Sequence, residues 1–337
     1  RVAYVAGDDV AHLISSETEL PELGCTVGDV DAPMIAASAY LGVEAILPSL
    51  DLDVPVIITG RVADPSLFVA PMVHTFGWRL DDWPRLGSAT VVGHLLECAA
   101  QVTGGYFADP GVKHVPDLAY VGFPLAEVSP DGSAVITKVP EAGGCVTLQT
   151  VREQLLYEVH DPAAYISPDV VADFSTTQLQ EIGPDRIEVR GAGGHPRPRQ
   201  LKVTVAFDGG YAAEAEISYA GPGAEERTRL AGEIVAERMR HVHQFDRDLR
   251  IDLIGVNALH SSAVDRSSSA EDVRLRATLR TSDRDRAELL LWEVCSLLTC
   301  GPAGGGGYRG TIDPRVATYS AFVPRESIRP RVEVLEA

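Results

Sequence analysis

No apolar run in the chain reaches the ~18 residues that a membrane-spanning helix needs. No Cys-x-x-Cys pair occurs, and the five cysteines, Cys25, Cys98, Cys145, Cys295 and Cys300, are odd in number. Both facts argue against a disulfide framework or a zinc ribbon, and a reducing cytoplasm is the expected setting. Cations are scarce: 29 Lys and Arg face 48 Asp and Glu, a net charge of −19. Nucleic acid and anionic membrane surfaces recede as main partners, because both are bound through basic surfaces. The chain has no G-x-G-x-x-G after a strand, no H-E-x-x-H and no G-x-S-x-G. A nicotinamide dehydrogenase, a zincin and an α/β-hydrolase lose their usual signatures with them. An initiating Met is also missing. Arg1 stands just before a run that reads as a strand, so an upstream segment is expected and targeting is left open.

What is present reads as globular. A chain of 337 residues with 45% hydrophobic side chains can bury roughly 75% of its unfolded surface. Two domains are expected, 1–185 and 186–337. The first reads as α/β, a parallel sheet with flanking helices. Val2–Ala6 is a short apolar run. Asp31–Leu50 carries the helical spacing Met34, Ile35, Leu41, Ile46, Leu47, Leu50. Val54–Thr59 is continuously apolar, which predicts a strand covered on both faces. Asp64-Pro65-Ser66 opens a helix with Asp64 as candidate N-cap, and Ser88–Val102 forms another. Residues 103–185, rich in Gly and Pro, predict a loop lobe around a cleft. One helix is expected there, Thr150–His160, opened by a Thr150-x-x-Glu153 capping box.

The second domain reads as an α+β sandwich, an antiparallel sheet with two helices on one face. Strands are expected at Arg186–Arg190, Gln200–Phe207, Ala212–Tyr219, Asp248–Val256, Val273–Thr281 and Ala317–Val323. Helices are expected at Ala224–His241 and Asp283–Thr299. Phe207-Asp-Gly-Gly-Tyr211 supplies a hairpin turn.

Five runs carry candidate chemistry. Thr59-Gly60-Arg61-Val62-Ala63-Asp64 lies at the carboxyl end of a strand, where open α/β sheets bind ligands. Gly60 lets the chain turn and Arg61 can clamp a carboxylate or phosphate. Asp64 either moves a proton or caps the next helix. On a later helix His94, Glu97, Cys98 and Gln101 share one face. His94 and Glu97 can orient each other for acid/base work or share a metal. The plainer alternative is a satisfied polar face with Cys98 as core filler. Thr103-Gly104-Gly105-Tyr106 through Asp109 follows, its glycines either admitting a ligand to the backbone or simply ending the helix. His160 is a site residue or a helix terminator. Arg197, Arg199 and Lys202 form a basic patch in an acidic protein, able to hold an anion or merely solvated. Gly301–Gly310 follows a helix and lacks Gly-Lys-Ser/Thr, so a connector or lid is expected there rather than a phosphate cradle.

Together these runs resemble the acyclic terpene utilisation family, AtuA type. The resemblance rests on Ala39–Gly42, Ile58–Asp64, Gly93–Cys98, Gln101–Asp109, Gly122–Pro124, Glu153–Tyr157, His160–Pro162 and Asp169–Phe174. It covers essentially the whole chain. Ser38 departs from the Asn that members often carry, which makes that position a poor site candidate. The resemblance implies an additional N-terminal α/β segment in most members, and a small ferredoxin-like domain after the matching region in many. It also implies a setting in citronellol and geraniol breakdown through coenzyme A thioesters, beside a biotin-dependent carboxylase.

The expected function is a cytoplasmic enzyme of acyclic terpenoid or branched-chain acyl-CoA or carboxylate catabolism. The reaction class is hydration, lyase chemistry or hydrolysis. His94 and Glu97 are expected to transfer protons, with Arg61, Asp64 and Asp109 completing the catalytic set. Thr59, Gly60, Gln101, Gly104, Gly105, Tyr106, His160, Arg197, Arg199 and Lys202 are expected to bind substrate. No metal and no cofactor is expected; coenzyme A enters only as part of a thioester substrate. A homo-oligomer is the expected assembly, with a pathway enzyme as candidate partner. Two alternatives stand beside this reading. One is a non-catalytic subunit docking on an acyl-CoA carboxylase or other pathway enzyme. The other is a metal-dependent hydrolase using His94, Glu97 and a distant His160 or Asp.

Overall fold

A computed structural model describes residues 1–52, 54–245, 247–260 and 270–336. They form two compact units. The first comprises Arg1–Val30, Ala36–Val205 and Tyr319–Ala337; the second comprises Asp31–Ile35 and Ala206–Thr318. These bounds differ from 1–185 and 186–337, because the chain returns to the first unit at its end.

In the first unit Val2–Ala6 is the middle strand of three. It runs parallel to Val56–Thr59 and antiparallel to Arg331–Leu335. Ala3 and Val5 are fully buried. The expected parallel sheet thus narrows to one parallel pair. Val56–Thr59 is an edge strand, not a strand covered on both faces: Val56 is 47% and Ile58 52% exposed. Three helices follow in sequence, α1 (Val43–Leu50), α2 (Ser66–Phe76) and α3 (Trp83–Glu97). Each packs on the next.

The helix expected over Asp31–Leu50 is only half there. Met34–Ala39 is a strand. Val10 N–H donates to Ala37 O at 3.0 Å and Ala39 N–H to Asp8 O at 2.8 Å. Ladder bonds therefore take the groups a helix would use, and tertiary pairing overrides local spacing. Gly42 then starts α1. The expected helix Ser88–Val102 is displaced instead. Asp82 caps α3 by accepting from Arg85 N–H, with Pro84 in the first turn. Past Glu97, Ala99 is left-handed (φ 49), and Gln101–Gly105 forms a π turn. The capping box of α4 (Leu148–Leu156) is Thr147 with Thr150, not Thr150 with Glu153.

The region expected as a loop lobe carries an antiparallel sheet. Its order is Gln178–Gly183, Arg186–Arg190, Ala134–Lys138, Pro124–Val128. Arg186–Arg190, expected in the second domain, belongs here. Left-handed Asp185 (φ 53) closes a tight turn that folds it back on Gln178–Gly183.

The second unit matches the expected antiparallel sheet with two helices. Leu249–Ile254, Asp272–Thr281 and the later part of Gln200–Ala220 lie side by side, followed by Gly306–Pro324. On them pack α5 (Ala224–His241) and α6 (Arg284–Cys300). Alternate strand residues Ile217, Tyr219, Leu275 and Leu279 meet Ala231, Val235 and Met239 of α5 and Leu290, Val294 and Leu297 of α6. That period-two face against a period-3.6 stripe is the core. Asp283 caps α6 through Asp285 N–H at 2.9 Å. The hairpin turn expected at Phe207–Tyr211 is absent. Only Gly210 has positive φ there (70°), whereas a two-residue reversal of type I′ needs two such residues. The strand bends and continues from Gln200 to Ala220. The Gly301–Gly310 run is a connector only in part, since the strand Gly306–Pro324 begins inside it.

Candidate functional site

The first unit holds a cavity of about 940 Å³. Five stretches of chain build it: Tyr40, Ala63–Pro65, the loop Tyr165–Pro168, the basic run Arg197–Lys202, and Phe322 with Arg325. Four cations line it, but two are already taken. Arg197 donates to Glu44 Oε2 at 2.6 Å, and Arg325 to Glu44 Oε1 at 2.8 Å. Burial opposes the charge on Glu44, yet these two guanidinium groups outweigh it and hold the carboxyl below its ordinary value. Arg325 also donates to Pro168 O, which pins the cavity loop. Among the described residues, neither Arg199 nor Lys202 has an ion-pair or hydrogen-bond partner for its side chain. Lys202 Nζ instead stands 5.5 Å from the Tyr40 ring centroid. Glu22 feels its charge, but that carboxylate is bonded to Ser320 N–H at 3.0 and 3.1 Å.

Arg61 Cζ lies 5.2 Å from the same Tyr40 centroid, and its NH1 is 3.6 Å from Asp64 Oδ1. A smaller cavity of about 450 Å³ opens beside it, lined by Ser38, Thr59, Gly60, Arg61, Asp64 and Leu67; Ser38 therefore borders a cavity, contrary to its expected place outside the site. Asp64 lines both cavities. Asp64 makes no side-chain cap to α2, so its carboxylate is not spent on the helix. Gly60 is required by a close approach: a Cβ there would collide with the Asp8 carboxylate. Asp8 Oδ2 accepts from Arg61 N–H at 2.7 Å and so fixes the turn that carries Arg61.

The His94–Glu97 pair forms as the helical spacing predicts, but it lines neither cavity. His94 is 1% exposed. Its Nε2 is 2.8 Å from Gln154 O. A carbonyl only accepts, so Nε2 carries a proton. Nδ1 is 2.9 Å from Glu97 Oε1. The two groups therefore share one proton across that contact, and both ring nitrogens are committed. Burial, above all else, raises the Glu97 carboxyl; His94 opposes this, and Asp64 and Glu158 reinforce it. Among the described residues, none partners the buried Glu97 Oε2. The ring of His94 packs against Tyr165 at 5.6 Å and Phe174 at 5.4 Å between centroids. Tyr165 thus separates the pair from the larger cavity. Burial and the surrounding acids raise the Tyr165 phenol, which stays protonated.

A model of the acyclic terpene utilisation family, AtuA, matches residues 1–334. The chain belongs to the AtuA family. No curated protein and no solved structure matches it significantly.

In this AtuA-family chain, the Thr59–Asp64 run and the basic patch come together around Tyr40. The remaining expected residues stay apart from that centre. Asp109 is exposed in a turn closed by Lys113 N–H to Asp109 O at 2.7 Å. Tyr106 is 78% exposed and meets only the edge of Tyr157. Gly105 N–H is spent on Ala100 O at 2.8 Å, so it is not free as an oxyanion donor. Gly104 (φ 108) is buried against Val115. Gln101 is half-buried in the π turn, and His160 is exposed beyond α4. Burial raises the Cys98 thiol first of all, which suits a packed thiol better than a nucleophile. Among the described residues no three His, Cys, Asp or Glu side chains gather as a metal site. The metal-hydrolase alternative therefore lacks a donor set there.

Three residues received no site role from the sequence, although Tyr40 and Asp169 fall in runs that carry the family resemblance and Tyr165 follows the His160 run. Asp169 sits in Ser-Pro-Asp, which reads as a turn. It is buried, and accepts from Val43 N–H at 2.7 Å and Ser66 Oγ–H at 2.5 Å. One carboxylate thereby holds the starts of α1 and α2. Gly42 makes this contact feasible, since a Cβ there would collide with Asp169 Oδ1.

Proposed function

We propose that this chain is an enzyme of acyclic terpenoid or branched-chain acyl catabolism, acting in the cytoplasm on a carboxylate or its coenzyme A thioester. The reaction class is hydration, lyase chemistry or hydrolysis by general acid/base steps. One observation carries the reading: Arg199 and Lys202 stand uncommitted in the larger cavity beside Tyr165, Ile166 and Phe322. Cations beside an apolar wall suit an acid with a greasy tail, and the volume falls in the range of small-molecule sites. Asp64 is the group placed to move a proton, being in the wall of both cavities. Lys202, in the larger cavity, supplies positive charge for a developing oxyanion. His94 and Glu97 act at one remove, holding the face of Tyr165 that the ligand meets.

The test is isothermal titration of the chain with citronellic acid and citronellyl-CoA. Binding of either, weakened at least tenfold in a Lys202→Ala/Arg199→Ala variant of unchanged stability, is expected; tenfold corresponds to about 1.4 kcal/mol. No heat with either ligand from folded protein refutes the reading. A second reading, a docking subunit for a pathway enzyme, is favoured by the open edge at Val56–Thr59, where Val56 and Ile58 are half exposed. It predicts that Asp64→Asn leaves function in the cell intact.

A further inference from the structure

Two cations that serve different cavities share the ring of Tyr40. Lys202 lines the larger one and Arg61 the smaller. Both lie over the same ring, at 5.5 and 5.2 Å from its centroid. Their separation is therefore no more than those two distances laid end to end, a gap that a short carbon chain bridges. Neither cation is firmly held. A contact with an aromatic face at an exposed site is weak, and the exposed Arg61–Asp64 pair at 3.6 Å is weak as well. Arg197 and Arg325, in contrast, are neutralised by Glu44. The cations open to a ligand thus fall in two cavities that have Asp64 in common.

A ligand with one negative group would satisfy only one cavity. The smaller cavity is also the more polar in kind, because Ser38 and Thr59 add hydroxyl donors to Arg61. An apolar tail gains little there. Asp64 stands in both walls and repels any anionic group brought to the divide, which drives negative charge to the two ends.

We infer that the preferred ligand is a dianion: an acyl chain whose first anionic group meets Lys202 and Arg199, and whose second meets Arg61 beside Ser38 and Thr59. This rests on the reading that the larger cavity binds an anionic acyl compound. The two charges have two chemical sources: a pair of carboxylates on the chain, or, in a thioester whose acyl carboxylate is spent on the bond to sulfur, the phosphate groups of coenzyme A. Arg61 is a binding and specificity residue under this arrangement. Its exposed side chain (48%) makes Arg61→Ala safe for the fold.

Isothermal titration separates the cases with three probes: citronellic acid, its omega-carboxylated counterpart, and citronellyl-CoA. In the wild type the diacid is expected to bind at least tenfold more tightly than the monoacid, in keeping with one added charge-assisted contact. Arg61→Ala should erase that gain and leave monoacid affinity within about twofold. A gain seen only with citronellyl-CoA, and erased by Arg61→Ala, supports the dianion with phosphate as its source. Equal binding of all three, or equal weakening of all three in Arg61→Ala, overturns the inference while the cavity reading stands. Binding of none overturns both.

Discussion

Replacing Glu97 with Gln should stabilise the protein at alkaline pH, although it removes half of the most enzyme-like pair in the sequence. The reasoning starts from one orphaned atom. Glu97 Oε1 is bonded to His94 Nδ1, while the buried Oε2 has no partner among the described residues. A buried polar group left unpaired costs about 1–3 kcal/mol, and its charge is what burial penalises. The folded carboxyl is accordingly raised from its ordinary 4.5. A group that holds its proton more tightly when folded adds stability below its unfolded value. It loses that contribution as pH rises through the folded value. The substituted amide never ionises, and it can still donate to a neutral His94 Nδ1. Glu97→Gln should therefore match or exceed the wild type by about 1 kcal/mol at pH 8, the low end of that range. The advantage should shrink as pH falls and be gone near 4.5, where the wild-type carboxyl is neutral too. Glu97→Ala supplies the contrast. It leaves Nδ1 bare at every pH and should lose about 1–3 kcal/mol throughout. Urea titrations from pH 4.5 to 8.5 on the three proteins measure both differences. A Glu97→Gln variant as unstable as Glu97→Ala at pH 8 refutes the shared-proton account.

Two further outcomes follow from other buried carboxylates. Asp169→Ala should cost about 2–4 kcal/mol in denaturant titration, since it strands Val43 N–H and Ser66 Oγ at the starts of two helices; a loss below about 1 kcal/mol would discount that capping role. In the second unit Glu293 accepts from His243 Nε2 at 2.6 Å and from Arg238. Burial opposes its charge, but Arg238 and His243 outweigh it and hold the carboxyl below its ordinary value. Its contribution should be present above the ordinary value of 4.5 and fade as pH falls through the lowered one. Glu293→Ala should then lose about 1–3 kcal/mol at pH 7, and a flat difference between pH 7 and pH 3 would contradict it.

Local pattern revealed most of the second unit. The helices α5 and α6 and the strand Asp272–Thr281 fall within a residue of their expected bounds, because one-sided burial leaves a period in the sequence. Met34–Ala39 was hidden by the same logic. Its Ala-rich stretch suits either state, and only the bonds to Asp8 and Val10 decide. The candidate site was legible as ingredients, not as an arrangement. His94 and Glu97 announce their pairing by i,i+3 spacing. The atom that closes off His94, Gln154 O, comes from α4, far along the chain. Arg197 looks as free as Arg199 in sequence; Glu44, on α1, tells them apart. Tyr40, which gathers Arg61 and Lys202, falls in a run that carries the family resemblance, but nothing in that run gave it a site role.

The three-stranded sheet of the first unit has a kinetic consequence. Its middle strand, Val2–Ala6, is joined on one side by Arg331–Leu335. Nearly the whole chain must be synthesised before that pairing can close. Contacts of such long sequence separation form late, because loop-closure entropy is spent before they repay it. The second unit has no such wait beyond residue 318. During vectorial synthesis it can fold while the first unit still shows the unpaired edge of Val2–Ala6. Unpaired strand edges are where partly made chains aggregate. The closing strand, which lines neither cavity, therefore decides how safely the protein is made.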